Sequence, residues 1–290
     1  MKIAFWSEEQ ETDTTFHMAV VACASALMYP LCIAVVSSGC RDKKLESYFM
    51  RKEELEKGKS FDWQWQGERD QKLEKAVLAA EQQEYFLTGG LDYLLSREQP
   101  ERLTQQEVRR NLYQVIENRL YCLSRSQRRE EWWYEPHVQK RLEQVMHKIE
   151  DSFDLVFIDC GNKKDDFTQR MLQEADLCVL SMNQEAEMIG EYYRKPKRFP
   201  GKIFFLVGNY FENGVYTRKN LERIYRVEEE LLGAIPYHPQ LQAASKFGKT
   251  EGELKDSMEK GRNLRFQQEL TRTVRLILKK TGVEIKKDVR

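Results

Sequence analysis

The sequence predicts an α/β fold, a mainly parallel, doubly wound sheet of about seven strands, and two observations carry that prediction. Short β-rich runs alternate with stretches whose apolar residues recur at helical spacing. Several of these runs, LVFID (Leu155–Asp159) and KIFFLV (Lys202–Val207) among them, are continuously apolar, as strands covered on both faces must be.

The first strand is Lys2–Trp6, and Thr14 opens a helix over Thr15–Met28 that Pro30 stops. Strands follow at Leu31–Ser37, Arg119–Leu123, Asp154–Cys160, Leu177–Met182 and Lys202–Val207, with a short one near Leu232–Ile235. Helical spacing marks Glu135–Ser152, Asp165–Ala175, Glu185–Arg194, Arg218–Arg226 and a closing helix over Gly261–Thr281. Residues 41–118 break this rhythm with charged sequence (KKLESYFMRKEELEK, LTQQEVRRNLYQVIENR), read as a helical excursion between the second and third strands of one domain spanning residues 1–290. FDWQWQ (Phe61–Gln66) alternates like a half-buried strand, and Trp132 and Trp133 lie in a charged surround. Each is read as surface packing, with a partner-binding patch as the alternative.

Charged residues make up 32% of the chain, but Lys+Arg and Asp+Glu both count 47, so no net field favours nucleic acid or an anionic membrane. The basic run at Arg125–Arg129 is answered at once by Glu130 and Glu131. The six cysteines show no CxxC spacing and read as reduced core residues, and no run suits a signal peptide or a membrane span, so a cytoplasmic protein is expected. His17, His137, His147 and His238 lack metal spacing, and His17 reads as a packing residue of the first helix. The last helix, LRFQQELTRTVRLILKK, is amphipathic; packing on the sheet is the expectation, with peripheral membrane association left open.

In such sheets ligands sit at the carboxyl ends of the strands, so the loops after Trp6, Ser37, Asp159 and Asn209 should converge. The loop after Trp6, SEEQETD, lies where a strand–loop–helix unit cradles phosphate. It contains no glycine and no lysine, and it carries Glu8, Glu9, Glu11 and Asp13.

Five segments, KIAFWS…TTFHMAVVACA, FDLVFIDCG, EADLCVLSM, KIFFLVGNYFENGVYTRKNLERIY and LLGAIPYHPQLQAASKFGK, resemble the ParA/MinD group of P-loop ATPases. Within that group the chain is most similar to the pilus-assembly proteins called TadZ or CpaE. The family's phosphate loop reads K-G-G-x-G-K-[ST]-T. Aligned on its threonines, the lysines fall on Glu8 and Asp13 and the glycines on Glu9, Gln10 and Thr12, so only Thr14 and Thr15 persist. Glycines admit left-handed angles and close phosphate approach, and lysines neutralise the phosphate charge. Here the sign is inverted, and a unit-charge repulsion at about 4 Å costs on the order of 4 kcal/mol at an effective dielectric near 20.

The resemblance implies a nucleotide site built from Thr14, Thr15, Asn209 at the adenine edge, and Pro236 with Tyr237 over the base, with Thr14 and Asp159 holding Mg²⁺ if nucleotide binds. Asp42 stands nearest to the family's switch aspartate, and no residue is assigned a catalytic role. The degenerate loop implies a pseudo-ATPase with no cofactor, or with weakly bound ATP and Mg²⁺, acting as a scaffold or localisation factor for pilus assembly or secretion. Its partners would be a second copy in a homodimer and components of that assembly, with recruitment to a pole or a membrane assembly. The alternatives are an active ATPase that dimerises on ATP, and a partner-binding α/β domain unrelated to pili.

Overall fold

Along β1 (Lys2–Trp6), Ile3 and Phe5 join one apolar cluster and Ala4 and Trp6 join another, and all four are buried. A strand buried on both faces belongs at the centre of a sheet. β1 does lie there, parallel to β5 (Leu155–Gly161) on one side and to β6 (Leu177–Met182) on the other. The computed structural model describes residues 1–9, 12–39, 44–51, 89–126, 136–185, 187–194 and 202–283. Asp42, Cys40, FDWQWQ, Trp132 and Trp133 lie outside them, as does the basic run beyond Ser126.

With β2 (Ile33–Ser37), β3 (Tyr113–Ile116), β4 (Leu120–Cys122), β7 (Ile203–Tyr210) and β8 (Leu232–Pro236), the sheet has eight strands in the order β3-β4-β2-β5-β1-β6-β7-β8. Every pairing is parallel except β3 with β4. The fold class is the expected one, with one strand more than anticipated.

The extra strand corrects the reading of residues 41–118 as wholly helical. Thr104 opens helix α4 (Gln105–Arg110) through a capping box with Glu107, and the Asn111 carboxamide donates back to the Glu107 carbonyl at 2.7 Å, where the helix ends. Tyr-Gln-Val-Ile then runs extended as β3, with a break in register between Gln114 and Ile116, and Asn118 at φ 56° turns the chain into β4. Asparagine tolerates this left-handed angle at the tip of a short hairpin.

Helices cover both faces. One layer holds α3 (Gly90–Ser96), α4, α5 (Pro136–Ser152), α6 (Asp166–Glu174), α7 (Glu187–Arg194) and α8 (Arg218–Tyr225). The other holds α1 (Thr14–Met28), α2 (Lys44–Ser47), α9 (Pro239–Ser245), α10 (Thr250–Glu259) and α11 (Leu264–Thr281). The single closing helix expected over Gly261–Thr281 is therefore preceded by two more. His238 caps α9 with its ring Nδ1, which accepts the Leu241 N–H at 3.1 Å, a cap that the usual Ser, Thr, Asp or Asn signal does not reveal. The apolar face of α11, including Phe266, Leu270, Val274 and Ile277, is buried against the sheet layer and unavailable to a membrane. No helix among the described residues is long and apolar enough to cross a membrane.

α11 also closes one edge of the sheet. The buried Thr273 hydroxyl accepts the Ala234 N–H and donates to the Ala234 carbonyl, both at 2.9 Å, satisfying the outer side of β8. The described cysteines are free thiols, all buried but Cys32, and burial raises the pKa of Cys178 to about 12, so they are inert core residues.

α1 is enclosed on nearly every side, by the sheet below it and by α10 and α11 above. Its approach to β7 is close enough that a Cβ at Gly208 would lie 1.8 Å from the His17 ring. We therefore expect Gly208→Ala to lose about 1–3 kcal/mol in urea unfolding, as overpacked cores do. His17→Ala combined with Gly208→Ala should recover part of that loss, whereas additive losses would show that the two residues do not meet.

Candidate functional site

Because β1, β2, β5, β6, β7 and β8 run parallel, the loops leaving them gather at one edge. The loop after β1 starts with the Ser7 N–H donating to the Gly161 carbonyl at 2.8 Å, so its root is tied to the end of β5. Ser7 is buried; its hydroxyl donates to Thr12 Oγ1 at 3.0 Å and accepts the Glu9 N–H at 3.1 Å. The Thr12 hydroxyl donates in turn to Glu9 Oε2 at 3.2 Å, and the same oxygen accepts Asn183 Nδ2 at 3.2 Å from the loop after β6. A carboxylate of this chain thus engages the donors of two neighbouring loops.

Thr14 and Thr15 are buried at the start of α1, where the Thr14 N–H donates to the Thr12 carbonyl at 2.7 Å. Asp13 occupies the N-cap position without a side-chain capping bond, and its carbonyl accepts the first helical N–H, from His17, at 2.9 Å. At the end of β5, Asp159 is buried; its Oδ1 accepts the Gly161 N–H at 3.1 Å and its carbonyl accepts the Ser38 N–H at 2.9 Å. Thr14, Thr15 and Asp159 therefore share the edge that the sequence assigned to them.

The other expected residues gather farther along the same edge. Asn209 adopts φ 48° near the end of β7, and its carboxamide oxygen accepts Gln242 Nε2 at 2.6 Å. Pro236 pairs with Tyr210, the Tyr237 N–H donates to the Tyr210 carbonyl at 3.0 Å, and the Tyr237 ring stacks on Phe211 with centroids 5.0 Å apart. Gln184, unremarked in the sequence, clamps this segment. Its Oε1 accepts the Phe211 N–H at 2.9 Å, and its Nε2 donates to the carbonyls of Phe211 (2.7 Å) and Tyr216 (3.0 Å). Phe211, 53% exposed, is thus an aromatic held outward by a fixed backbone. The signal for Asn183 and Gln184 was a pair of amide residues directly after a buried strand, where backbone groups need partners.

One further polar group lies below the loop. His17 is fully buried in the first turn of α1; its Nδ1 is 2.6 Å from Ser181 Oγ on β6, and its Nε2 has no hydrogen-bond partner among the described residues. Burial first, and the Lys44 charge second, lower its pKa to about 3. It is a neutral packing residue, as the sequence suggested. Among the described residues no group of His, Cys, Asp or Glu is arranged to hold a metal ion without further ligands.

No family model and no curated protein sequence matches the chain. Solved structures do match in shape over nearly the whole length. A ParA family ATPase from Chlorobium tepidum superposes with a TM-score of 0.62 at 13% identity, covering 97% of this chain and 99% of its own. The septum site-determining protein MinD from Pyrococcus horikoshii, complexed with Mg-ADP, gives 0.59 at 14% identity, with 98% of each chain covered. A putative plasmid partition protein from Borrelia burgdorferi, bound to AMPPNP, gives 0.59 at 14%, covering 96% and 98%. The fold is therefore that of the ParA/MinD ATPases. Identities this low establish the fold alone.

A histidine whose folded pKa is depressed from 6.5 to about 3 leaves the folded protein binding fewer protons than the unfolded chain between those values. Its contribution to stability is intact above pH 6.5 and declines as pH falls toward 3, with a limiting slope of about 1.4 kcal/mol per pH unit. His17→Gln should flatten the dependence of the urea midpoint on pH between 6 and 4 relative to the unmodified protein. Equal slopes would show that His17 is not the buried base responsible.

Proposed function

We propose that the chain is a ParA/MinD-like protein of the TadZ/CpaE type that works without ATP turnover, as a cytoplasmic scaffold or localisation factor for pilus assembly or secretion. The observation that carries this reading is Glu9. Its carboxylate accepts from Thr12 and Asn183 within the loop that should receive phosphate, and no glycine or lysine stands in that loop. Two proteins of this fold were solved with Mg-ADP and AMPPNP, so the edge is the place where a nucleotide would be sought here. The residues present do not suit one. The α1 N-terminus attracts an anion by about 1 kcal/mol. Each carboxylate brought to within about 4 Å of a phosphate opposes it by a comparable or larger amount, from about 1 kcal/mol in water to about 4 kcal/mol at an effective dielectric near 20.

A scaffold needs protein-facing surface, and the Phe211–Tyr237 pair, pinned by Gln184 and flanked by exposed Val215 and Tyr216, supplies aromatic area of the kind interfaces use. We assign the self-association of the chain as a homodimer, and its recruitment to a pole or a membrane assembly, to this carboxyl edge. A relative in fold, MinD from Aquifex aeolicus, was solved in complex with MinC, which supports partner binding on this architecture.

Titration calorimetry with Mg-ATP decides the central point. The unmodified protein should show no affinity tighter than about 100 μM, roughly −5.5 kcal/mol, and no phosphate release above background. A variant carrying Glu8→Lys, Glu9→Gly, Gln10→Gly, Thr12→Gly and Asp13→Lys should gain at least about tenfold, provided its thermal melt shows it folded. Micromolar binding by the unmodified chain would overturn the pseudo-ATPase reading in favour of an ATPase that dimerises on ATP. A folded restored loop that still fails to bind would remove Asp159 and Asn209 from the site. Light scattering showing only monomer at tens of micromolar, with and without ATP, would refute the homodimer.

A further inference from the structure

The carboxyl edge is one end of the sheet. At the opposite end, where the strands begin, an open groove of about 440 Å³ lies beside the β3–β4 hairpin. Gln114 and Tyr121, paired across the hairpin, form its floor, and Gln105, Gln106, Arg109 and Arg110 of α4 form its wall. Its size is that of a ligand site rather than a packing defect.

The wall is held in place by the protein itself. The Arg109 guanidinium donates through Nε and Nη2 to the Ser152 carbonyl, at 2.9 and 2.6 Å, and lies over the Phe153 ring with its carbon 5.5 Å from the centroid. Gln105 Nε2 donates to the Asp151 carbonyl at 2.7 Å. These bonds fasten α4 to the end of α5. The groups facing the groove are left over. Among the described residues, Gln106, Gln114, the exposed Arg110 guanidinium and the Tyr121 hydroxyl have no hydrogen-bond partner, and Arg110 has no ion pair. Glu107, three residues before Arg110 on α4, is already engaged by the Thr104 N–H at 2.8 Å and the Thr104 hydroxyl at 2.7 Å. Among the described residues no carboxylate lines the groove.

We propose that this groove is a binding site for an acidic, extended peptide segment of a partner protein. The chemistry selects that occupant in two ways. Two guanidiniums with no acid among them attract a carboxylate, and Arg110 can take it in a bidentate pair. The glutamine amides each offer both a donor and an acceptor, which matches the alternating N–H and C=O groups of a peptide backbone; a phosphate backbone offers acceptors only. A nucleic acid would also need a broad positive field, which two arginines on a chain of zero net charge do not provide. The site is remote from the carboxyl edge and is independent of whether that edge binds nucleotide.

The test is an array of octapeptides of graded net charge, probed with the labelled full-length protein and with three variants. Arg110→Glu and Gln114→Glu alter the groove at exposed positions, and Lys255→Glu makes the same charge change as Arg110→Glu on the exposed face of α10. Acidic octapeptides should be enriched over their Asn/Gln isosteres. Both groove variants should lose at least about tenfold in affinity for those peptides, measured by fluorescence anisotropy, the effect expected for removing a charge-assisted hydrogen bond. Lys255→Glu should leave binding unchanged. The proposal fails if the array shows no acidic preference, if Lys255→Glu weakens binding as much as Arg110→Glu, or if single-stranded oligothymidylate competes as well as the acidic peptides do.

Discussion

The burial of α1 fixes the rest of the carboxyl edge. A helix apolar on all sides cannot present a polar face to water, so it must be enclosed, and here the sheet, α10 and α11 enclose it. Its axis is held by contacts that leave no slack; the His17 ring rests where a side chain at residue 208 would otherwise stand. A helix so placed sets where its first turn begins, and hence the span that the loop from Trp6 to Thr14 must cross. The same closeness recurs at Gly248, where a Cβ would come within 2.1 Å of the Met50 carbonyl and where φ is +68°. Only glycine satisfies both demands, which explains its place between α9 and α10.

From that fixed helix the carboxyl edge is tied together loop by loop. Ser7 bonds to the end of β5, Glu9 to the loop after β6, Gln184 of that loop to the segment after β7, and Tyr237 after β8 back to Tyr210. In a site that waits for a ligand such donors are left free until the ligand orders them. Here many of them are spent on the chain's own acceptors. A phosphate arriving at the loop would have to displace a carboxylate from Thr12 and Asn183 and then sit beside it. The displacement forfeits two hydrogen bonds, one of them bridging neighbouring loops, and the residual charge repels.

The fold was legible because burial on both faces writes itself into composition. IAFW, VFI and IFFLV need no partner information to be read as central strands, and six of the seven expected strands lie within two residues of the observed ones, the seventh, Lys202–Val207, running three residues further. What escaped was decided by contacts distant in sequence or by small local switches. Tyr113–Ile116 follows a helix with only Asn111 and Leu112 between them, and a window long enough to see the helix averages the strand away. α9 is capped by a histidine, and α10 is too polar to show a strong apolar stripe. At the edge, Thr14, Thr15, Asp159, Asn209, Pro236 and Tyr237 lie at or beside the ends of β5, β7 and β8 and the start of α1, but the sequence could not show that Glu9 bonds to Asn183, residues 174 positions apart. Hydrogen bonds of that kind leave no periodic trace.

A sheet has two ends, and in this molecule they differ in what they leave unsatisfied. At the carboxyl end Phe211 and Tyr237 stack, with Tyr216 nearby, and all three are exposed beside the polar residues of the loops. At the amino end, beside β3 and β4, the aromatic surface is covered, with Phe153 between Tyr121 and Arg109, and the exposed material is guanidinium and amide. Apolar area associates by losing water, without much regard to direction, whereas amides and guanidiniums reward a partner only when its acceptors are correctly placed. The two ends therefore suit different kinds of contact, one broad and one selective. The loop after β1, where Glu9 accepts from Thr12 and Asn183, has part of its hydrogen-bonding capacity committed within the chain before any partner arrives.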